Sequence, residues 1–260
     1  MPETDMISKT NLLPILATPD AESELDLLVG RYLSANGVLM QVIGFVGGQV
    51  EDVVARLPAT TRERVDRATR GALEIAYGAA HGSQRLRTGD RPHRVMAAAM
   101  GAVGGLGGLP SALTELPVTT TLMLRSIQEI AVQHGESLSD EETRLACLQV
   151  LGAGGPLSED DGTDFAFIGA RIAITGPAMN TLIARIAPRF AGVLMQKLGS
   201  KAVPVLGSLA GAGTNLAFMR YYQEMAHVHF GLRRLARHGT IEAPAAFKSR
   251  VEAVRQVRKA

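Results

Sequence analysis

The sequence predicts an all-α protein, a multi-helix globular bundle around two glycine-rich apolar helices. Three observations carry this expectation. Alternating polar and apolar runs are missing and β-branched residues do not cluster, so nothing reads as a strand. Ala, Leu, Gly and Arg dominate, which favours helix. Three stretches carry no charged residue, 32–50, 95–114 and 202–219, and each holds glycines four apart: Gly44/Gly48, Gly101/Gly105 with Gly104/Gly108, and Gly207/Gly211. Small residues one turn apart let helix backbones approach closely.

Residues 1–21 read as an irregular arm broken by Pro14 and Pro19, followed by a single helical domain over 22–260. Asp20 is placed to cap a first helix reaching Arg56, with Glu22, Glu24 and Asp26 at its positive end. Pro58 ends it, and Thr60 with Glu63 has capping-box spacing for a helix reaching Gly89. Asp90-Arg91-Pro92 restarts the chain into the glycine-rich run, which meets an amphipathic helix at a Pro110…Glu115-Leu116-Pro117 hinge and ends at Gly135. Ser139 with Glu142 is a second capping box, opening a helix over 140–151. An acidic loop spans 152–162. A helix over 164–186 has a kink expected at Pro177, and Pro188 starts a short helix ending near Gly199. Pro204 opens the third uncharged segment, which flows into a long helix over 214–238, and a short basic helix spans 243–260.

Composition narrows the function. A net charge of +2 is too mild to argue for nucleic acid. One cysteine, Cys147, permits no internal disulfide and reads as a small buried hydrophobe. The N-terminus carries Glu3 and Asp5 and lacks a basic start, so it does not read as a signal peptide. A cytoplasmic protein is expected, peripheral at the inner face of the membrane if it meets lipid. The uncharged stretches approach the ~20 residues of a bilayer span. Each is interrupted by polar residues, proline or glycine, and so reads as a buried core helix or a conditionally inserting segment. Met96, Met100, Leu106, Leu109, Val205, Leu206 and Leu209 are the candidate apolar or lipid contacts.

No HExxH, CxxC, GxSxG or phosphate-binding glycine loop is present. His227 and His229 point to roughly opposite sides of a helix and are poor co-ligands; His134, near a helix C-terminus, reads as a cap. Glu159, Asp160 and Asp161 lack EF-hand spacing, so no metal and no cofactor is expected. On the central helix Thr121, Arg125, Gln128 and Glu129 share one side, with Arg125 and Glu129 a turn apart. They form either an ordinary solvated face or, with Asn215, a buried polar network. For a hydrolase the catalytic candidates are Glu115, Arg125 and Glu129, although Glu115 and Glu129 lie about 20 Å apart on a continuous helix. The C-terminal part is basic: Arg233, Arg234, Arg237, Lys248, Arg250, Arg255, Arg258 and Lys259 meet only Glu242 and Glu252 nearby in sequence, a surface suited to anionic lipid or an acidic partner.

Two blocks resemble a known family. The first is Glu115-Leu116-Pro117-Val118-Thr119-Thr120-Thr121-Leu122-Met123-Leu124-Arg125-Ser126-Ile127, continued by Ile130-Ala131, His134-Gly135-Glu136 and Arg144-Leu145-Ala146-Cys147-Leu148. The second is Val203-Pro204-Val205-Leu206-Gly207, then Asn215, Phe218-Met219, Ala226, His229-Phe230 and Arg233-Arg234-Leu235. In order and spacing they resemble the EcsC protein family over most of 94–239. The resemblance implies a setting beside an ABC transporter and no established chemistry. Some relatives carry hydrolase or peptidase labels, for which these residues offer no nucleophile–base pair. The expected function is a non-enzymatic, membrane-associating or lipid-binding accessory protein, with anionic lipid or a membrane transporter as partner; the alternative is the hydrolase.

Overall fold

The computed structural model describes residues 21–35, 58–80, 108–152, 181–188, 190–192, 207–237 and 243–259, without the side chains of 76, 78–80, 108–117, 207–214 and 258–259. Among the described residues the chain is all helix and turn, with no strand. The helices are α1 (21–35), α2 (Ala59–Ala80), α3 (Gly108–Gln133), α4 (Glu141–Gly152), α5 (181–192, residue 189 excepted), α6 (Gly207–Arg237) and α7 (Ala243–Lys259). Residues 1–20 of the arm, Gly44/Gly48, Met96, Met100, Leu106, Val205, Leu206, the acidic loop beyond Gly152 and Pro177 lie outside the described residues, whereas Ala21, expected in the arm, opens α1.

Three helices form the centre. α4 is buried at Thr143 and from Leu145 to Gly152, on every side, as expected of a helix apolar all round. α3 packs against α2, α4 and α6, and α6 also touches α4 and α7. α3 buries Thr119, Thr120, Met123, Ile127 and Ile130. Three consecutive threonines are poor helix formers, so packing decides here over propensity. From α6, Tyr222 meets Phe190 of α5 edge-on at 5.9 Å, and Phe230 is fully buried.

Local signals held unevenly. The Gly135 stop is a Schellman turn: Gly135, at φ +81°, donates to the Val132 carbonyl, and Glu136 donates to that of Ala131. The two capping boxes are corrected. Pro58 is the cap of α2, its carbonyl accepting from Arg62, which leaves Thr60 inside the first turn. Asp140 caps α4, its carbonyl accepting from Arg144; Ser139 bonds Ser137 instead, and Glu142 pairs with Arg233. The hinge at Pro110–Pro117 is corrected too, because α3 is helical from Gly108 through both prolines. Likewise α6 starts at Gly207, seven residues before the expected Thr214, and α5 is helical at Pro188 where a new start was expected.

Direction matters most for function. Ser126 of α3 contacts Gln223 of α6, His134 contacts His227, and Glu136 contacts Arg233 and Arg237. Partner numbers rise together, so α3 and α6 run parallel. Against α6, α1 runs the other way: Arg31 meets Glu224, Leu28 meets Gly231 and Glu24 meets Arg234. A Cβ on Gly231 would stand 2.7 Å from Leu28, so the glycine sets how closely these two helices approach.

Candidate functional site

Among the described residues, the densest set of polar contacts lies where α3 ends. The Schellman turn reverses the chain at Gly135 and sends Glu136 inward, where its side chain is 4% exposed. Arg233 and Arg237 are one turn apart on α6 and therefore share a face. The Glu136 carboxylate accepts from Arg233 Nε at 3.1 Å, from Arg237 Nη1 at 2.7 Å and from the Thr143 hydroxyl of α4 at 3.1 Å. Arg237 also donates to the His134 carbonyl, one of the acceptors a helix end leaves open. Arg233 bonds Glu142 at 3.0 Å as well.

One carboxylate thus joins α3, α4 and α6. Burial alone would raise its pKa, but the Arg233 hydrogen bond and charge, Arg237 and Thr143 outweigh burial and hold it below the usual carboxylate value. Arg233 is the mirror case: desolvation pulls its pKa down, and Glu136 and Glu142 more than restore it.

Beside the clasp, His134 Nε2 and His227 Nδ1 are 3.1 Å apart, their rings edge-to-face. One ring must donate to the other, so at most one can readily be charged. Burial, then His227, Arg234 and Arg31, lower the His134 pKa to about 4, against an opposing pull from Glu136. His229 faces elsewhere, buried beside Phe230; burial and then Arg233 lower its pKa to about 3. No group of three His, Cys, Asp or Glu side chains is placed to hold a metal among the described residues. Cys147 is fully buried, and burial raises its thiol pKa.

The expected polar face divides. Thr121, Arg125 and Glu129, four residues apart, form a half-buried stripe on α3, whereas Gln128 and Asn215 are buried. Arg125 Nε is buried with no hydrogen-bond partner, and no ion pair joins Arg125 to Glu129 among the described residues. Glu115, Leu109 and Leu209 lie in α3 and α6, and their side chains fall outside the description. The unbroken α3 separates Glu115 from Glu129 by about 21 Å along its axis.

The C-terminal cations have partners far off in sequence. Arg234 pairs with Glu24 of α1, Arg250 with Glu22 and Asp26 of α1, Arg233 and Arg237 with Glu136, and Lys248 with Glu252. Arg255 stands over the Tyr32 ring, 5.8 Å from its centroid. Sequence reasoning did not identify Glu136, Thr143, Ser126, Gln223 and the His134–His227 contact as parts of a site. The i, i+4 spacing of Arg233 and Arg237 was the available signal for a shared anion, and nothing local named that anion.

The family model of the EcsC protein family matches residues 80–235, more than half of the chain. No curated protein and no solved structure matches it.

Proposed function

This chain belongs to the EcsC protein family, and from that premise we propose that it is a non-enzymatic accessory protein that associates peripherally with membrane lipid, in the setting of an ABC transporter. The observation that carries the non-enzymatic part is the state of Glu136. Residues from both family blocks meet there, and the carboxylate is saturated by two guanidinium groups and a hydroxyl. An acid–base group needs a pKa near the working pH and a free lone pair facing substrate. Glu136 has a depressed pKa and a clasp's geometry. The hydrolase alternative would need Glu115, Arg125 and Glu129 gathered at a cleft, and a continuous α3 works against this.

The lipid part is supported by the three uncharged stretches. The association proposed is peripheral; no helix among the described residues is long and apolar enough to cross a membrane. Vesicle flotation tests it. Protein is expected in the floating fraction with liposomes and at the bottom without them. Protein that stays at the bottom with every vesicle composition, at low and high salt, removes the lipid reading.

A further inference from the structure

We infer that the membrane-facing surface is the end of the bundle formed by the N-terminal halves of α3 and α6, and that its partner is the apolar layer of a lipid bilayer, not an anionic headgroup. The inference rests on the membrane-association reading and says which end of the molecule carries it.

The topology gathers the uncharged sequence at one end. Level with the Ser126–Gln223 contact the two helices lie side by side and parallel. From there α3 extends back to Gly108 over about 27 Å, and α6 back to Gly207 over about 24 Å. Both therefore reach a similar distance in the same direction. Counted inward along these arms from Gly108 and Gly207, the first charges are Glu115 and Arg220, so 108–114 and 207–219 are free of charge. The third uncharged stretch begins at Tyr32, within α1. Because α1 runs antiparallel to α6, its last described residue, Ala35, points to the same end. Three stretches far apart in sequence thus enter or leave the described bundle together.

Two further observations agree. Val118 of α3 and Leu216 of α6 are large apolar side chains left 47% and 41% exposed on these arms. Among the C-terminal cations, Arg233, Arg234, Arg237, Lys248 and Arg250 are engaged with Glu22, Glu24, Asp26, Glu136, Glu142 and Glu252, and Arg255 stands over the Tyr32 ring. A cation already paired with a carboxylate gives little attraction to anionic lipid, so binding driven by apolar contact follows, weakly dependent on salt.

The test places a polarity-sensitive dye at one end or the other of the full chain, through Leu216→Cys or, as the control, Ser139→Cys in the exposed turn after α3. Native Cys147 is fully buried and stays unlabelled. Vesicles of phosphatidylcholine alone are compared with vesicles containing phosphatidylglycerol, at low and high salt. The expected result is a blue shift of the dye at position 216 and none at 139, with binding to both lipids that changes less than about threefold with salt. In flotation, Val118→Glu with Leu216→Glu is expected to reduce binding about tenfold or more, and Lys248→Glu with Arg255→Glu less than about threefold. Thermal melts confirm that each variant is folded. A blue shift at 139 instead, or binding only to phosphatidylglycerol vesicles that high salt abolishes, overturns the inference and leaves membrane association standing. A wild-type chain that floats with no vesicle removes both. Self-association through position 216 without lipid, seen as a larger species in solution, assigns the end to a second copy and overturns it too.

Discussion

The two ends of the α3–α6 pair hold together by different means. At the C-terminal end one buried carboxylate, two arginines and a threonine tie three helices, and Arg31–Glu224 and Arg234–Glu24 add α1. At the N-terminal end the same helices carry no charge over 108–114 and 207–219. Ion pairs fix direction and register, because removing one partner of a buried pair leaves the other unsatisfied. Glycine-rich apolar surface fixes closeness but little else, so it can exchange one apolar neighbour for another. The difference teaches a division of labour: one end keeps the helices parallel, and the other carries the uncharged surface proposed above to meet lipid.

The largest expected effect comes from breaking the clasp. Glu136→Ala removes the acceptor that Arg233 and Arg237 share, leaving Arg233 with Glu142 and Arg237 with the His134 carbonyl, and is expected to cost about 3 kcal/mol, read as a lowered urea midpoint. Glu136→Gln keeps the shape and part of the bonding, and should lose less.

Acid should attack the same end next. His134 and His229 fold as neutral rings, with pKa values of about 4 and about 3 against an ordinary 6.5. The unfolded chain therefore takes up protons that the fold refuses, and stability falls as pH drops from 6.5 towards 4. Glu136 acts with the same sign: its contribution is present above its ordinary value of 4.5 and is lost as pH falls through its lower folded value. Thermal melts from pH 7 to pH 4 should show a falling midpoint, and His229→Gln should flatten the slope between pH 6.5 and 4. A flat profile in the wild-type chain would contradict the placement of these rings.

Close packing makes a smaller prediction. A Cβ on Gly152 would stand 2.7 Å from Ile186 Cγ1 and 3.3 Å from its Cβ, a branched side chain with little freedom to yield. Gly152→Ala is expected to destabilise by about 1–3 kcal/mol. Gly71→Ala on α2, where the added carbon meets nothing within 4 Å, should stabilise by up to about 1 kcal/mol, the helix preference of alanine alone. Smallest of all, Lys248→Ala removes an exposed pair with Glu252 and should move stability by less than about 0.5 kcal/mol in a denaturant titration.

Legibility in the sequence followed the range of each interaction. The all-α class, the Gly135 stop and the buried Cys147 rest on signals a few residues long, and they were readable. The hinge at Pro117 was not: tertiary packing carries α3 through it, against a local preference for a break. The basic C-terminal face looked open because its acids come from α1 and from the turn after α3; Arg250 and Glu22 are 228 residues apart in sequence. Of the expected polar set, burial of Asn215 was legible as a polar group within an apolar run, whereas helix periodicity left Gln128 open between a solvated face and a buried network, and packing buries it. The Glu136 clasp was not, since its geometry depends on the parallel course of two helices that no periodicity encodes.

That parallel course can be measured directly. Nitroxide labels at Leu216→Cys with Val118→Cys, and at Leu216→Cys with Gln133→Cys, report which end of α3 lies beside the start of α6. The 118–216 distance should be the shorter by roughly 10–20 Å, since Gln133 lies about 22 Å further along α3. A shorter 133–216 distance would mean antiparallel helices, and would contradict both the clasp and the single uncharged end.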